Sequence, residues 1–364
     1  MKIVDIQIGE IAIPLAQPFK TALRTVCAVH DVLIKIITDT EHEGYGEAPP
    51  TAAVTGETNT SVIAAICEYI KPAIVGMEIE NLEAVLRRLN GAIEKNTSAK
   101  AAVDMALYDL FAKRHEIPLY RLLGGFRSAV KTDITISLNS AEEMARDSLA
   151  AVAAGYDTLK LKAGKNIEKD LHSVFAVRKA VGKTIILRID ANQGWTPKEA
   201  VRTIRRLEDM DLNIELVEQP VRATDLAGLR FVTKNVQTPI LADESVFSAG
   251  DALKIIQTGA ADMINIKLMK TGGIYEALKI CALAETNGID CMMGCMLEGH
   301  ISCAAAAHLA CAKGVLTKTD IDGPGLCAAS PFHGGPRFSG ADIRMNKTPG
   351  LGFENLSDVP VVWH

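Results

Sequence analysis

The sequence predicts an α/β protein: a modified TIM-type (β/α)7β barrel with an α+β capping domain built from the N-terminal part and the C-terminal tail. Three observations predict it. After Gly124-Gly125, eight short apolar strands alternate with amphipathic stretches. One residue near the end of each strand, namely Thr135, Lys162, Asp190, Glu218, Asp243, Lys267, Gly294 and Asp320, gives spacings of 27, 28, 28, 25, 24, 27 and 26. That is a near-constant βα period. No G-x-G-x-x-G follows any of these strands, which disfavours an open dinucleotide-binding sheet.

Ahead of the barrel, residues 1 to about 50 alternate in the strand manner through IVDIQIGEIAIP, VLIKIITD and EGYGEA, an antiparallel meander with a Gly-rich corner. From Val54 to Arg127 the period becomes helical. NTSAKAAVDMALYDLFAKR is the clearest helix, with Ala102, Met105, Ala106 and Leu110 on one stripe. Beyond Asp322, GPGLCAASPFHGGP cannot be a helix, so the eighth barrel helix is expected to be missing. The tail RFSGADIRMNKTPGLGF has strand and turn character and is expected to return to the N-terminal unit. The expected units are 1–125 for the cap, 126–324 for the barrel and 325–364 for the returning segment.

Composition narrows the function. The 364 residues are 48% hydrophobic and 23% charged, with a net charge of −5, which suits a soluble globular enzyme. No basic cluster exists to neutralise a phosphate backbone, so nucleic acid is not an expected partner. The longest charge-free runs, Gly299–Ala312 and Gly323–Pro336, fall short of the roughly 20 apolar residues of a membrane span. Asp5 and Glu10 interrupt the region where a signal peptide would be apolar. The eight cysteines form no C-x-x-C pair and read as reduced structural thiols. A cytoplasmic location follows as the expectation.

The charges that matter lie at strand ends, where barrels place their chemistry. In DTLKLKAG, Lys160 and Lys162 share a face because strand residues two apart do. The next three strands end in Asp190, Glu218 and Asp243, and the sixth in Lys267. Three carboxylates without a neighbouring His or Cys suit a hard cation, Mg²⁺ or Mn²⁺. Buried ion pairs alone seldom improve on an apolar filling, which makes a metal site the better account of five charges at matching positions. Lys267 lies four strands on from Lys162 in a ring of eight, so the two should face each other across the metal as opposed proton acceptors and donors. Asn192 and Gln193 are expected to orient Asp190 or a metal-bound water, and His300 and His308 to be helix-face or core residues. Glu47 is either a supporting partner of the site or a hairpin acid.

Taken together, these motifs resemble the enolase superfamily, specifically its muconate lactonizing subgroup, over essentially the whole chain. The resemblance rests on AAVDMALYDLFAKRHEIPLYRLLGG at the joint, the K-x-K of Lys160 and Lys162, the Asp190/Glu218/Asp243 set and Lys267. It implies a Mg²⁺-dependent isomerase in which Lys162 and Lys267 exchange an α-proton and a metal-stabilised enediolate is formed. The D-x-D of Asp320 and Asp322 resembles dipeptide epimerases, implying capture of a dipeptide's N-terminal ammonium, as the pairing of two acids with a cation would require. The loop PLAQPFKTALRTV resembles the capping loop of epimerases that act on Ala-Glu. There the residue matching Arg24 pairs with the substrate's side-chain carboxylate, a task that suits the guanidinium fork.

The implied activity is epimerisation at the C-terminal residue of a dipeptide, L-Ala-L-Glu to L-Ala-D-Glu, in recycling of cell-wall peptides. The same-superfamily alternative is an N-acylamino acid racemase or o-succinylbenzoate synthase. Thr135 and Lys160 are expected to line the substrate site. Glu298 either reaches the pocket wall or pairs with Lys267 or a neighbour. A homo-oligomer is expected.

Overall fold

The computed structural model describes residues 1–20, 25–354, 356, 359 and 361–364. Its N-terminal sheet is an antiparallel meander in the order β1-β2-β3, formed by β1 (Ile3–Lys20), β2 (Thr25–Thr38) and β3 (Glu43–Ala48). The β1–β2 pair runs further than the alternating pattern suggests. Beyond a register shift between Pro14 and Phe19, Phe19 still pairs with Val26, and this extension reaches over the barrel mouth.

The helix Thr97–Arg114 packs on β3. Its amphipathic stripe understates its burial, because Ser98 through Leu110 are buried on every face. Sheet, barrel and neighbouring helices surround it, the setting in which a helix loses its polar face. Gly44 and Gly46 make the close approach to β3 possible, since a Cβ at either position would collide with the helix carbonyls of Ala106 and Ala102.

A short strand β4 (Ala129–Lys131) precedes the barrel. The barrel strands are β5 (Ile134–Ile136), β6 (Thr158–Lys162), β7 (Ile186–Asp190), β8 (Ile214–Glu218), β9 (Ile240–Ala242), β10 (Met263–Lys267), β11 (Asp290–Gly294) and β12 (Leu316–Asp320). All neighbours pair in parallel, in sequence order. The series closes where Ile321 N–H donates to Thr132 Oγ1 at 2.7 Å and Asp133 N–H to Thr319 O at 3.5 Å.

Helices follow β5 to β11. Two start on capping boxes that satisfy free N–H groups of the first turn, Ser140 with Glu143 and Thr196 with Glu199. After β12 only the single turn Gly323–Leu326 forms, so the eighth helix is absent as the Pro/Gly-rich sequence predicts. The tail then touches both units. Strands β13 (Arg337–Ser339) and β14 (Asp342–Arg344) extend β4, and His364 exchanges backbone hydrogen bonds with Ile8 on β1.

Side-chain parity stacks the barrel interior in layers. Leu216, Leu241, Met263 and Met292 form a small apolar plug inside the barrel. Charged side chains stand at the strand ends above it. His308 is a core residue, as expected: its Nδ1 accepts from Tyr120 N–H at 2.9 Å, and burial pushes its pKa down to about 4. All eight cysteines are free thiols, and no helix among the described residues is long and apolar enough to cross a membrane.

Candidate active site

Parity on β6 brings Lys160 and Lys162 to the inward face, and both are buried. Lys162 Nζ lies 2.6 Å from Asp190 Oδ2, its in-register neighbour on β7. Lys160 Nζ reaches Glu218 Oε2 and Asp320 Oδ2, each at 2.7 Å, and Asp190 Oδ2 at 3.4 Å. From the far side of the ring, Lys267 Nζ lies 2.8 Å from Asp243 Oδ2 and 3.8 Å from Glu218 Oε1. Lys162 on β6 and Lys267 on β10 stand four strands apart in the eight-strand series and line one pocket. Gly294 on β11 leaves room for Lys267, because a Cβ there would stand 3.0 Å from its Cε.

Polar groups hold the carboxylates of Asp190 and Glu218 and the backbone of Asp243. Asn192 N–H donates to Asp190 Oδ1 at 2.8 Å, Asn265 Nδ2 to Glu218 Oε1 at 3.0 Å, and Asp243 N–H to Gln219 Oε1 at 2.9 Å. Asn192, Gln193 and Gln219 all carry positive φ (44°, 64° and 35°), costly for side-chain-bearing residues and concentrated just past the acid-bearing strand ends. Burial opposes charge on Asp243, but Lys267 and Lys270 outweigh it and hold the carboxyl below the usual range. Glu218 goes the other way: burial, with Asp190 beside it, raises it to about 8. On Lys267 burial favours the neutral amine, yet Asp243 and Glu218 outweigh it and raise the pKa.

The three acids fit a divalent cation. They are hard oxygen donors on successive strand ends, and Glu218 Oε2 and Asp243 Oδ1 are buried atoms that make no hydrogen bond among the described residues. Among the described residues, lysine ammonium groups pair with them, Lys160 at 2.7 Å from Glu218 Oε2 and Lys270 at 2.6 Å from Asp243 Oδ1. A cation drawing those oxygens in would satisfy both. A more compact acid group lies across the pocket, where single carboxylate oxygens of Asp133, Asp320 and Asp322 fall within 4.8 Å of one another. Its charge is already met by Lys160 and Arg188. Asp190, Glu218 and Asp243 are the acids that stand between the two opposed lysines.

Thr135, Asp320 and Asp322 line the same pocket as the lysines. Thr135 N–H donates to Asp322 Oδ2 at 2.7 Å. Phe19, Thr51, Ala53 and Val54 close the pocket from the cap. Arg24 lies outside the described residues. Glu298 departs from both expectations: it neither lines this pocket nor forms an ion pair among the described residues. Its Oε1 turns back to accept Met296 N–H at 2.5 Å, since the tight turn after β11 leaves that donor buried and in need of an acceptor. Burial raises Glu298 to about 7. Glu47 also serves the barrel: its Oε2 accepts from Ile301 and Ser302 N–H, both at 2.9 Å, at the start of helix His300–Ala312.

Sequence reasoning missed Asp133, Arg188, Asn265, Gln219 and Lys270. Parity could have found three of them, since Asp133, Arg188 and Asn265 sit two residues before Thr135, Asp190 and Lys267. Lys270 carried no such signal. It lies one helical turn past β10 and folds back, fully buried, to Asp243.

A ring of parallel strands whose ends carry acids between two opposed lysines, under a cap of sheet and helices, defines a class of enzyme, and sequence comparison agrees. Residues 3–124 match the mandelate racemase/muconate lactonizing enzyme N-terminal domain and residues 143–359 the enolase C-terminal domain-like family. The chain belongs to the mandelate racemase/muconate lactonizing enzyme family of the enolase superfamily. It is 56% identical to an L-Ala-D/L-Glu epimerase of Clostridium acetobutylicum, over 98% of this chain and 100% of the relative. It superposes on a substrate-liganded L-Ala-D/L-Glu epimerase from Bacillus subtilis with a TM-score of 0.96 at 48% identity, covering 97% and 99% of the two chains. A dipeptide epimerase from Enterococcus faecalis, complexed with Mg and L-Leu-L-Tyr, gives a TM-score of 0.94 at 42% identity, covering 98% and 100%.

Proposed function

We propose that this protein is a Mg²⁺-dependent dipeptide epimerase that inverts the α-carbon of the C-terminal residue, converting L-Ala-L-Glu to L-Ala-D-Glu. The observation that carries the reading is the placement of Lys162 and Lys267 on opposite strands of one pocket, with Asp190, Glu218 and Asp243 between them. Relatives named as epimerases of the same dipeptide support the substrate. When bound at Asp190, Glu218 and Asp243, Mg²⁺ (or Mn²⁺) supplies positive charge that holds the substrate carboxylate and steadies negative charge as the α-proton leaves.

The chain's own groups do the rest. Lys162 takes the α-proton from the L-configured residue and Lys267 returns one on the opposite face, with the roles reversed for the D-configured residue. Asp320 and Asp322 receive the N-terminal ammonium. Lys160 holds Asp320 and Glu218 at once and so fixes the ammonium subsite relative to the metal acids. Thr135 anchors Asp322 through its backbone, and Arg24 meets the side-chain carboxylate of the substrate Glu. Eight free thiols suit a reducing compartment. We place the enzyme in the cytoplasm, acting on peptides released from the cell wall, as a homo-oligomer whose size sedimentation velocity tests.

Proton NMR in D₂O with Mg²⁺ and L-Ala-L-Glu tests the reading directly. The expected result is loss of the Glu α-proton signal together with growth of the L,D diastereomer. No exchange with any dipeptide, but turnover of N-acylated or N-succinylated amino acids, would overturn it in favour of an acylamino acid racemase.

A further inference from the structure

Asp133 stands just before β5, on the floor beneath the ammonium subsite. It is 1% exposed. Its Oδ2 is clamped at 2.7 Å by Arg188 Nη1, a guanidinium also bound to Thr319 O at 2.9 Å and, through Nε, to Glu215 Oε2 at 2.6 Å. Its Oδ1 makes no hydrogen bond among the described residues, although it is buried. One oxygen from each of Asp133, Asp320 and Asp322 lies within 4.8 Å of the others. Two ionised carboxylates packed together repel, and buried acceptors facing each other are stable when one carries a proton.

We propose that Asp133 is a positioning residue of the ammonium subsite: a neutral carboxyl whose proton is donated to Asp320, fixing that carboxylate between Lys160 and the substrate ammonium. The inference rests on the epimerase reading for its substrate. The groups facing Asp133 are Arg188 from β7, Lys160 from β6, Asp320 and Asp322 from the end of β12, and the Tyr156 hydroxyl. Burial first, then Asp320, push the Asp133 carboxyl well above the usual range, against the opposing pull of Arg188 and Lys160. Asp320 stays on the ionised side, its carboxyl held below the usual range because Lys160 and Lys267 outweigh its burial. The arrangement solves an electrostatic problem. Arg188 is shared between Asp133 and Glu215, and Lys160 between Asp320, Glu218 and Asp190, so a proton on Asp133 relieves the repulsion among the three acids and leaves Asp320 and Asp322 for Lys160 and the incoming ammonium.

Two measurements test this. Infrared difference spectroscopy of wild type against Asp133→Asn at neutral pH should show a protonated carboxyl C=O band that the variant lacks, and its absence would overturn the shared proton. Kinetics with L-Ala-L-Glu should then separate donor from charge. Asp133→Asn, which keeps a donor without charge, should hold kcat and KM close to wild type. Asp133→Ala should raise KM by about tenfold or more with kcat little changed, the scale of losing a hydrogen bond to a charged group. Equal KM losses in both variants would mean that an ionised Asp133 is needed, and unchanged KM in both would make it a filler; either result overturns the proposal. The infrared band needs no substrate. A wild-type chain that turned over no dipeptide would therefore fail the epimerase reading, while the band would still decide the protonation of Asp133.

Discussion

Lys162 and Lys267 are each tied to a different carboxylate, Asp190 for one and Asp243 for the other, so removing one lysine leaves the other's partner in place. This separation makes a stereochemical prediction. Lys267→Ala should abolish epimerisation, a loss of about 10²–10⁴-fold or more as expected for one acid–base group, while Lys162 still exchanges the α-proton of L-Ala-L-Glu with solvent deuterium. Lys162→Ala should show the mirror result with L-Ala-D-Glu. NMR of each diastereomer separately checks this, and loss of all exchange in both variants would refute the division of labour. Lys270 plays a different part, because it grips Asp243 from behind, is fully buried and is not a pocket-lining residue. Lys270→Met strands part of a buried carboxylate and should lower unfolding stability by about 3–5 kcal/mol in urea titration, the usual cost of breaking a buried pair.

At the scale of elements, the cap and barrel are joined by acids seated on helix N-termini. Glu47 of β3 binds the start of helix His300–Ala312, and Asp104 of helix Thr97–Arg114 accepts Ile274 N–H at 2.6 Å and Tyr275 N–H at 3.3 Å at the start of helix Ile274–Thr286. The exposed N–H groups of a first turn explain why an acid sits there. Burial nevertheless raises Asp104 to about 8, against those two hydrogen bonds. An acid whose folded pKa exceeds its unfolded value of about 4 holds its proton in the native state alone between those two pKa values. Its contribution is therefore full below pH about 4 and is lost as pH rises toward 8. Relative to Asp104→Asn, wild-type unfolding free energy should fall across that window with a slope approaching one proton, about 1.4 kcal/mol per pH unit. Denaturant titrations at several pH values measure the slope, and parallel profiles for the two proteins would contradict it.

Across the whole molecule, the barrel was legible because its period repeats seven times and its inward parity places charge at six of the eight strand ends. Lys162, Asp190, Glu218, Asp243 and Lys267 could be picked out for the same reason, and the structure does bring them around one pocket or directly against it. What stayed hidden depends on contacts between residues far apart in the chain. The clamp of Arg188 on Asp133 spans 55 positions and the seat of Glu47 on Ile301 spans 254. Glu298 illustrates the same limit at short range. Its position past β11 suggests the pocket, but an unsatisfied N–H two residues away takes its carboxylate.

The charge balance of the assembled site leads to the last prediction. Asp190, Glu218 and Asp243 are met by Lys160, Lys162, Lys267 and Lys270, so the acids are compensated and folding does not require a metal. Mg²⁺ should then act as a ligand of the native state. The thermal midpoint should rise with its concentration, by the equivalent of about 2.7 kcal/mol at 100 times Kd. Glu218→Gln keeps the shape and the contact with Asn265 but removes the central charge, so it should fold and lose the Mg²⁺-dependent shift. A shift that survives in Glu218→Gln but disappears in Asp320→Asn would move the cation to the opposite acid group.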